Sequence, residues 1–301
     1  MNKNISFDIG KFDSIINKEK KYDVFLEKED YTYERENEAC YELDKYLTCK
    51  DSMIRFYRKI LQDSQKPDLL GKTVECNEKQ FPNVYKTIKQ ISYILNIAVP
   101  RVYVYEDVYY KAEVDGYDEP WIIISSKIIE DYTREELLFV LGKILASIKN
   151  EHYKYEATVK GLYESTKYID RIPLISLANS FNIIDGYKMN LEPKINCYRR
   201  CGHFSTDACG FLICGSFKAA VSAILKDILN NSKLVSEVDL RDYMKKVNEI
   251  KSMSGKMIDY SKLDEAVPYG PYRVLNLLRF STTERFSNSI LKLSREYGLW
   301  D

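Results

Sequence analysis

Residues 133 to 153, with the sequence TREELLFVLGKILASIKNEHY, constrain the fold more than any other segment of the chain. Thr133 and Glu136 match a capping box, in which a threonine and a glutamate three residues later bond to free amides at a helix start. The apolar positions that follow recur at helical spacing and form a core stripe: Leu137, Leu141, Leu145 and Ile148. The segment is therefore predicted to be a buried helix on which other elements pack.

Other segments predict further helices and two strands. Residues 37–64 have a helical pattern, and a second helix is predicted before Pro100 from apolar residues on one face, namely Val84, Ile88, Ile91 and Leu95. The runs RVYVY and WIIIS, at 101–105 and 121–125, are β-branched or aromatic and predict short strands. Residues 66–80 are predicted to be a loop, 106–120 an irregular acidic turn region, and the chain after 157 to be helical.

This order of elements predicts an α+β fold dominated by helices. Residues 1–65 are interpreted as an N-terminal arm and helical segment, and residues 66–301 as the main domain. Lys and Arg number 45, as do Asp and Glu, so there is no overall basic field to attract nucleic acid. The apolar runs are too short to span a membrane, and the N-terminus lacks the apolar stretch of a signal peptide. A cytoplasmic location is expected.

Three blocks resemble one family. The text ILNIAVPRVYVY, YYKAEVDG, WIIISSKII and TREELLFVLGKILASIKNEH, then RRCGHFSTDACGFLI, and finally YGPYRVLNLLRFSTTERF, follow the order of motifs in the HtpX-like zinc metallopeptidases. That group includes the CAAX-prenyl endopeptidases. The resemblance implies a zincin-like fold, with a small sheet packed on the active-site helix.

The resemblance also shows what has changed. The family's first histidine ligand falls on Lys143, its general-base glutamate on Ile144 and its second histidine on Ser147. The third ligand, a glutamate, falls on His203, and a supporting aspartate is retained as Asp207. A catalytic zinc needs three protein ligands and an open position for water. The zinc site is therefore predicted to be lost, and no metal or other cofactor is expected.

We expect the Lys143 ammonium to take the place of the lost cation and to pair with Asp207, through Ser147 or directly, because a buried carboxylate is costly without a partner. A Ser147–Lys143 nucleophilic dyad is the alternative for the same two residues. Cys197, Cys201, His203 and Cys209 resemble a metal cluster in composition. On one helix, however, His203 points away from Cys201, which favours small buried side chains over a shared site unless Gly202 breaks the helix.

The family's substrate peptide lies along the strand that matches 121–125. By resemblance, a peptide is expected to add to that strand through backbone pairing, at Trp121, Ile122, Ile123, Ile124 and Ser125. A covered edge is the alternative. The acidic segment 106–120 either binds basic groups of a partner or is simply solvated.

The leading functional interpretation is a catalytically inactive peptidase relative that binds a peptide or protein partner through the inherited cleft. Two alternatives stay open. One is an active zinc peptidase with unconventional ligands such as His203, Asp207 and a cysteine. The other is a hydrolase that uses Ser147 with Lys143, or a cysteine, as its nucleophile.

Overall fold

The structure is a computed structural model that describes residues 24–47, 50–169, 183–252 and 265–297. Most of the predicted arm, residues 1–23, lies outside the described residues. The helices are α1 Glu36–Tyr46, α2 Lys50–Phe56, α3 Asp63–Lys72, α4 Pro82–Ile94, α5 Ser126–Asp131, α6 Arg134–Lys149, α7 His152–Ile169, α8 Ile183–Cys214, α9 Phe217–Leu229, α10 Ser232–Val235, α11 Leu240–Ser252, α12 Gly270–Ser281 and α13 Glu284–Tyr297. A 3-10 turn spans Lys28–Asp30, and a π-helical turn, Tyr57–Gln62, joins α2 to α3. The strands are β1 Val74–Cys76, β2 Arg101–Tyr105, β3 Ala112–Asp115 and β4 Trp121–Ser125.

The α+β class dominated by helices is confirmed, and helix α6 is at its centre. Its capping box is formed as predicted, since the Thr133 side chain accepts the Glu136 amide and the Glu136 carboxylate accepts the Thr133 amide. Helix α6 packs against α4, α8, α9 and β3. The predicted face of α4 is buried in the same core, at Val84, Ile88, Ile91 and Leu95.

Helices α6 and α8 cross with their backbones close together. A side-chain carbon added at Gly210 of α8 would lie 2.6 Å from the Phe139 carbonyl oxygen of α6. One added at Gly142 of α6 would lie 3.1 Å from the Gly210 Cα. The two glycines therefore set the distance between the two helices that carry the family-matched positions.

The sheet has the order β1–β2–β4–β3. Strands β2 and β4 are parallel, and β1 and β3 pair with them antiparallel on the outside. The predicted strands β2 and β4 are both present. Backbone addition of a peptide at Trp121, Ile122, Ile123, Ile124 and Ser125 is contradicted, and the covered-edge alternative is confirmed, because β4 already pairs with β2 on one side and β3 on the other. The edge strand next to it is β3, within the segment predicted as an acidic turn region.

The predicted loop at 66–80 is also corrected. Helix α3 continues to Lys72, and β1 follows at Val74–Cys76. Pro67 lies inside α3, where it removes one amide donor. A π-helical turn, Tyr57–Gln62, lies directly upstream of this helix. The proposed boundary between residues 65 and 66 falls within this helix.

The N-terminal segment and the main domain share a second, smaller core. Apolar side chains of α1, α2, α7 and α8 form it, including Leu43, Leu162 and Ile195. Glu36, at the start of α1, is buried and receives a hydrogen bond from Ser205 of α8, and it pairs with His152 at 2.8 Å. Helix α1 is therefore fixed to the main domain by both apolar and polar contacts.

Candidate functional site

The two helix faces named by the resemblance meet at a cleft of about 410 Å³. Lys143, Ile144 and Ser147 of α6 line it, as does His203 of α8. Ala112, Glu113 and Val114 of the edge strand β3 line it as well. The sequence-predicted positions are thus brought together, and a sheet edge lies beside them.

Beneath this cleft, Asp207 is fully buried and forms the centre of an ionic cluster. Arg273, at the start of α12, donates from Nε to Oδ2 at 2.7 Å and from Nη2 to Oδ1 at 2.9 Å. The Nζ of Lys143 lies 3.3 Å from Oδ1. Arg273 also donates to Asp227 of α9 at 3.3 Å. A buried carboxylate held by two parallel N–H bonds is strongly fixed in position.

The expected pairing of Lys143 with Asp207 is confirmed, and the contact is direct. Ser147 takes no part, because its hydroxyl donates to the Ile144 carbonyl oxygen at 2.8 Å. The stronger partner of Asp207 is Arg273, which sequence reasoning did not single out. A signal was available, because Arg273 belongs to the third family-like block, YGPYRVLNLLRFSTTERF.

The cluster shifts the pKa of two of the titratable residues on α8, Asp207 and His203. Burial alone would raise the pKa of Asp207, but the charges of Arg273 and Lys143 hold it well below its usual range. Burial lowers the pKa of His203 well below its ordinary value, and the nearby charges of Lys143 and Arg273 lower it further. At neutral pH, Asp207 is therefore ionised and His203 is neutral.

The walls of the cleft carry charged residues that are already matched. Arg199 donates to both carboxylate oxygens of Glu156, at 2.7 and 2.5 Å. Lys160 donates to Asp115 at 2.7 Å. These pairs fix α7 against α8 and against β3. Lys143 and His203, on the floor of the cleft, take no part in them and are available to a ligand.

The residues of the floor do not fit a zinc ion. Ile144 has no donor atom, and the Ser147 hydroxyl is bonded to the helix backbone. The Lys143 ammonium lies against the Asp207 carboxylate, where it would repel a cation. Within the described ranges, no group of three His, Cys, Asp or Glu side chains is arranged to hold a metal.

The contacts also disfavour a Ser147–Lys143 nucleophilic dyad and a shared Cys/His metal site. Lys143 is directed to Asp207 and Ser147 to a carbonyl oxygen, so the two are not arranged as a nucleophile and its base. Cys197 and Cys201 line a different groove, with Arg35 and Lys194, whereas His203 faces the cleft. Helix α8 is continuous through Gly202, so the predicted divergence of these side chains is confirmed.

No protein-family model matches the chain, and no curated protein or solved structure matches it either. The likeness to the HtpX-like metallopeptidases therefore rests on the sequence motifs. None of the described helices combines the length and the apolarity needed to cross a bilayer.

Proposed function

We propose that the chain is a catalytically inactive relative of the HtpX-like zinc metallopeptidases that binds an extended peptide or protein segment in its cleft. The observation that carries the proposal is the position of Lys143. Its ammonium lies beside the retained aspartate, between the two helices where the resemblance would put zinc. A zincin-like fold, with the small sheet beside the helix of the lost motif, is part of the same proposal.

The edge strand β3 supports peptide binding. In the described part of the chain it ends the sheet, and three of its four residues line the cleft. An extended peptide can add to such an edge through its own backbone groups. A free strand edge can pair with strands of other chains, so a bound peptide would also protect β3 from such unwanted pairing. The proposal thus keeps the binding mode expected from the resemblance but moves it from β4 to β3.

Loss of hydrolysis is tested by metal content and cleavage together. Protein purified without chelator is expected to contain far less than one zinc per chain and to leave a randomised peptide mixture intact. Stoichiometric zinc, with cleavage that stops when the zinc is removed, would contradict the proposal and favour an active peptidase. Labelling of Ser147 by a serine-directed covalent probe would favour the hydrolase alternative.

Peptide binding is tested by filling the cleft. Ser147→Phe places a ring in the cleft, and it is expected to abolish retention of peptides from a randomised hexapeptide mixture in ultrafiltration followed by mass spectrometry. Ser64→Phe is the matched control, because Ser64 is exposed on α3 and also donates to the carbonyl oxygen three residues earlier, at 2.8 Å. Equal retention by both variants would place the binding elsewhere, and no retention by the wild-type protein would refute it.

A further inference from the structure

The ammonium of Lys143 has hydrogen-bonding capacity that the protein does not use. Both oxygens of Asp207 accept N–H groups of Arg273 at 2.7 and 2.9 Å. Lys143 approaches the same carboxylate only as an ion pair at 3.3 Å, and within the described residues it makes no hydrogen bond. An ammonium has three N–H donors, so an acceptor from outside the protein is needed to satisfy them.

The free donors are accessible from the cleft. The Lys143 side chain is 19% exposed, whereas Asp207 and Arg273 are 0% and 3% exposed. The exposed part of Lys143 lies in the lining of the cleft. Arg273 is buried and is shared between Asp207 and Asp227, so the Lys143 ammonium is the cation of this cluster that faces the cleft. An unsatisfied, partly desolvated ammonium favours an anionic acceptor over a neutral one.

His203 offers a second donor on the same floor. Burial and the two nearby cations lower its pKa, so its ring is neutral and carries one N–H. In the described part of the chain, its ring nitrogens have no hydrogen-bond partner, while its carbonyl oxygen accepts the Thr206 hydroxyl. Lys143 and His203 therefore present one ammonium and one imidazole to the same space.

The other charges around the cleft do not compete for such a ligand. Glu156 is held by Arg199, and Lys160 is held by Asp115. Glu113 is half-exposed at the rim and lies 3.3 Å from the ammonium of Lys111. An anion in the cleft would therefore meet its positive partner at Lys143.

We infer that the cleft binds the carboxylate group of a peptide, with the Lys143 ammonium as its ion partner and His203 as a second donor. The inference rests on the proposed peptide-binding function and names the chemical class that the cleft recognises. A free C-terminus and an Asp or Glu side chain carry the same group, so the test separates these two sources.

The chain has two histidines, so the imidazole resonances of His203 can be assigned with a single His152→Gln variant and followed by NMR. N-acetylglycine supplies a C-terminal carboxylate, N-acetylglutamate α-amide supplies a side-chain carboxylate, and N-acetylglycinamide is the uncharged control. We expect one or both acids to shift the His203 resonances saturably, and the amide not to do so. Whichever acid binds identifies the source.

Lys143→Met is expected to weaken binding of the acid by roughly tenfold or more, because a hydrogen bond to a charged group contributes about 1.5–3 kcal/mol. Lys160→Met is the matched control, since Lys160 lines the same cleft but is already bonded to Asp115. Equal shifts by acid and amide, or unchanged acid binding in Lys143→Met, would overturn the inference. The acid and amide comparison uses the wild-type protein, so it stands even if a variant misfolds.

The outcomes for this inference and for the proposed function are distinct. If peptides are retained and lost in Ser147→Phe, but neither acid binds, the peptide-binding function stands and the carboxylate inference fails. If an acid shifts His203 but no peptide is retained, the cleft is a site for small carboxylates and the proposed function fails.

Discussion

Asp207 is the residue on which the site depends, and its two cations are not equivalent. Arg273 is almost fully buried and bonds both carboxylate oxygens, whereas Lys143 is partly exposed and makes a single longer contact. Removing one partner of a buried pair leaves an uncompensated charge, which costs more than the pair itself contributes. Loss of Arg273 should therefore be far more damaging than loss of Lys143.

Arg273→Met is expected to lower the free energy of unfolding by about 3–5 kcal/mol, because it removes both hydrogen bonds to the buried Asp207 and leaves only the ion pair with Lys143 at 3.3 Å. Urea unfolding at pH 7 measures the change. Arg101→Met is the matched control, since Arg101 pairs with Glu75 at 2.9 Å on the surface and should contribute less than about 1 kcal/mol. Similar losses in the two variants would show that the buried cluster is not a stabilising centre.

The thiol of Cys197 is predicted to be unusually reactive. The neighbouring Cys201 thiol lowers the pKa of Cys197 below its ordinary value, and the charges of Arg200 and Arg35 add to this effect against partial burial. Since a thiolate is the reactive form, Cys197 should be alkylated by iodoacetamide at pH 7 before the other five cysteines that the structure describes. Peptide mapping measures the order. Cys76 is the comparison, because burial raises its pKa to about 11, and labelling of Cys76 first would contradict the prediction.

At the residue scale, sequence reasoning found the positions but not all of their contacts. Lys143 and Asp207 could be paired because the resemblance placed them on facing helices. Arg273 lies 66 residues from Asp207 along the chain, and no local pattern connects the two. Contacts over such distances depend on how the helices pack, which periodicity alone does not determine.

At the scale of elements, the crossing of α6 and α8 positions the site. Gly210 allows the α8 backbone to approach the Phe139 carbonyl oxygen, and helix packing this close requires the absence of a side chain. The long elements were predictable from their strong signals, as the capping box and apolar stripe of α6 show. Strands β1 and β3 were not, because three or four residues carry too little alternation to separate a strand from a turn. Missing β3 also led to the wrong edge strand.

Gly210→Ala is expected to destabilise the protein at the crossing of α6 and α8. The added carbon would lie 2.6 Å from a backbone oxygen, which forces the helices apart and should cost roughly 1–3 kcal/mol of unfolding free energy. Gly71→Ala is the control, since nothing lies within 4 Å of its added carbon and alanine favours the helix by roughly 0.5–1 kcal/mol. Thermal unfolding should give shifts of opposite sign, and equal shifts would argue against the close crossing.

At the scale of the whole molecule, the buried ionic groups make stability depend on pH. In Glu136, burial alone would raise the pKa, but hydrogen bonds from Lys226 and Ser222 lower it, and Asp207 behaves similarly with its cations. A carboxyl group with a lowered pKa stabilises the fold above its unfolded pKa, about 3.9 for Asp and 4.3 for Glu, and the stabilisation is lost as the pH falls below that. Protonation of these carboxylates should therefore destabilise the protein mainly below about pH 4.5.

The titration of His203 should also lower the free energy of unfolding as the pH falls, but at a higher pH than the carboxylates. Its pKa in the folded protein lies well below the unfolded value of about 6.5, so the unfolded chain binds the additional proton as the pH falls from about 7 to 5. The free energy of unfolding should fall across this window by up to about 1.4 kcal/mol per pH unit for this one group. Urea unfolding at several pH values measures the slope. His203→Gln should flatten it between pH 5 and 7, whereas Glu136→Gln should alter it only below about pH 4.5. Identical curves for His203→Gln and the wild-type protein would mean that His203 is not held neutral by the cleft floor.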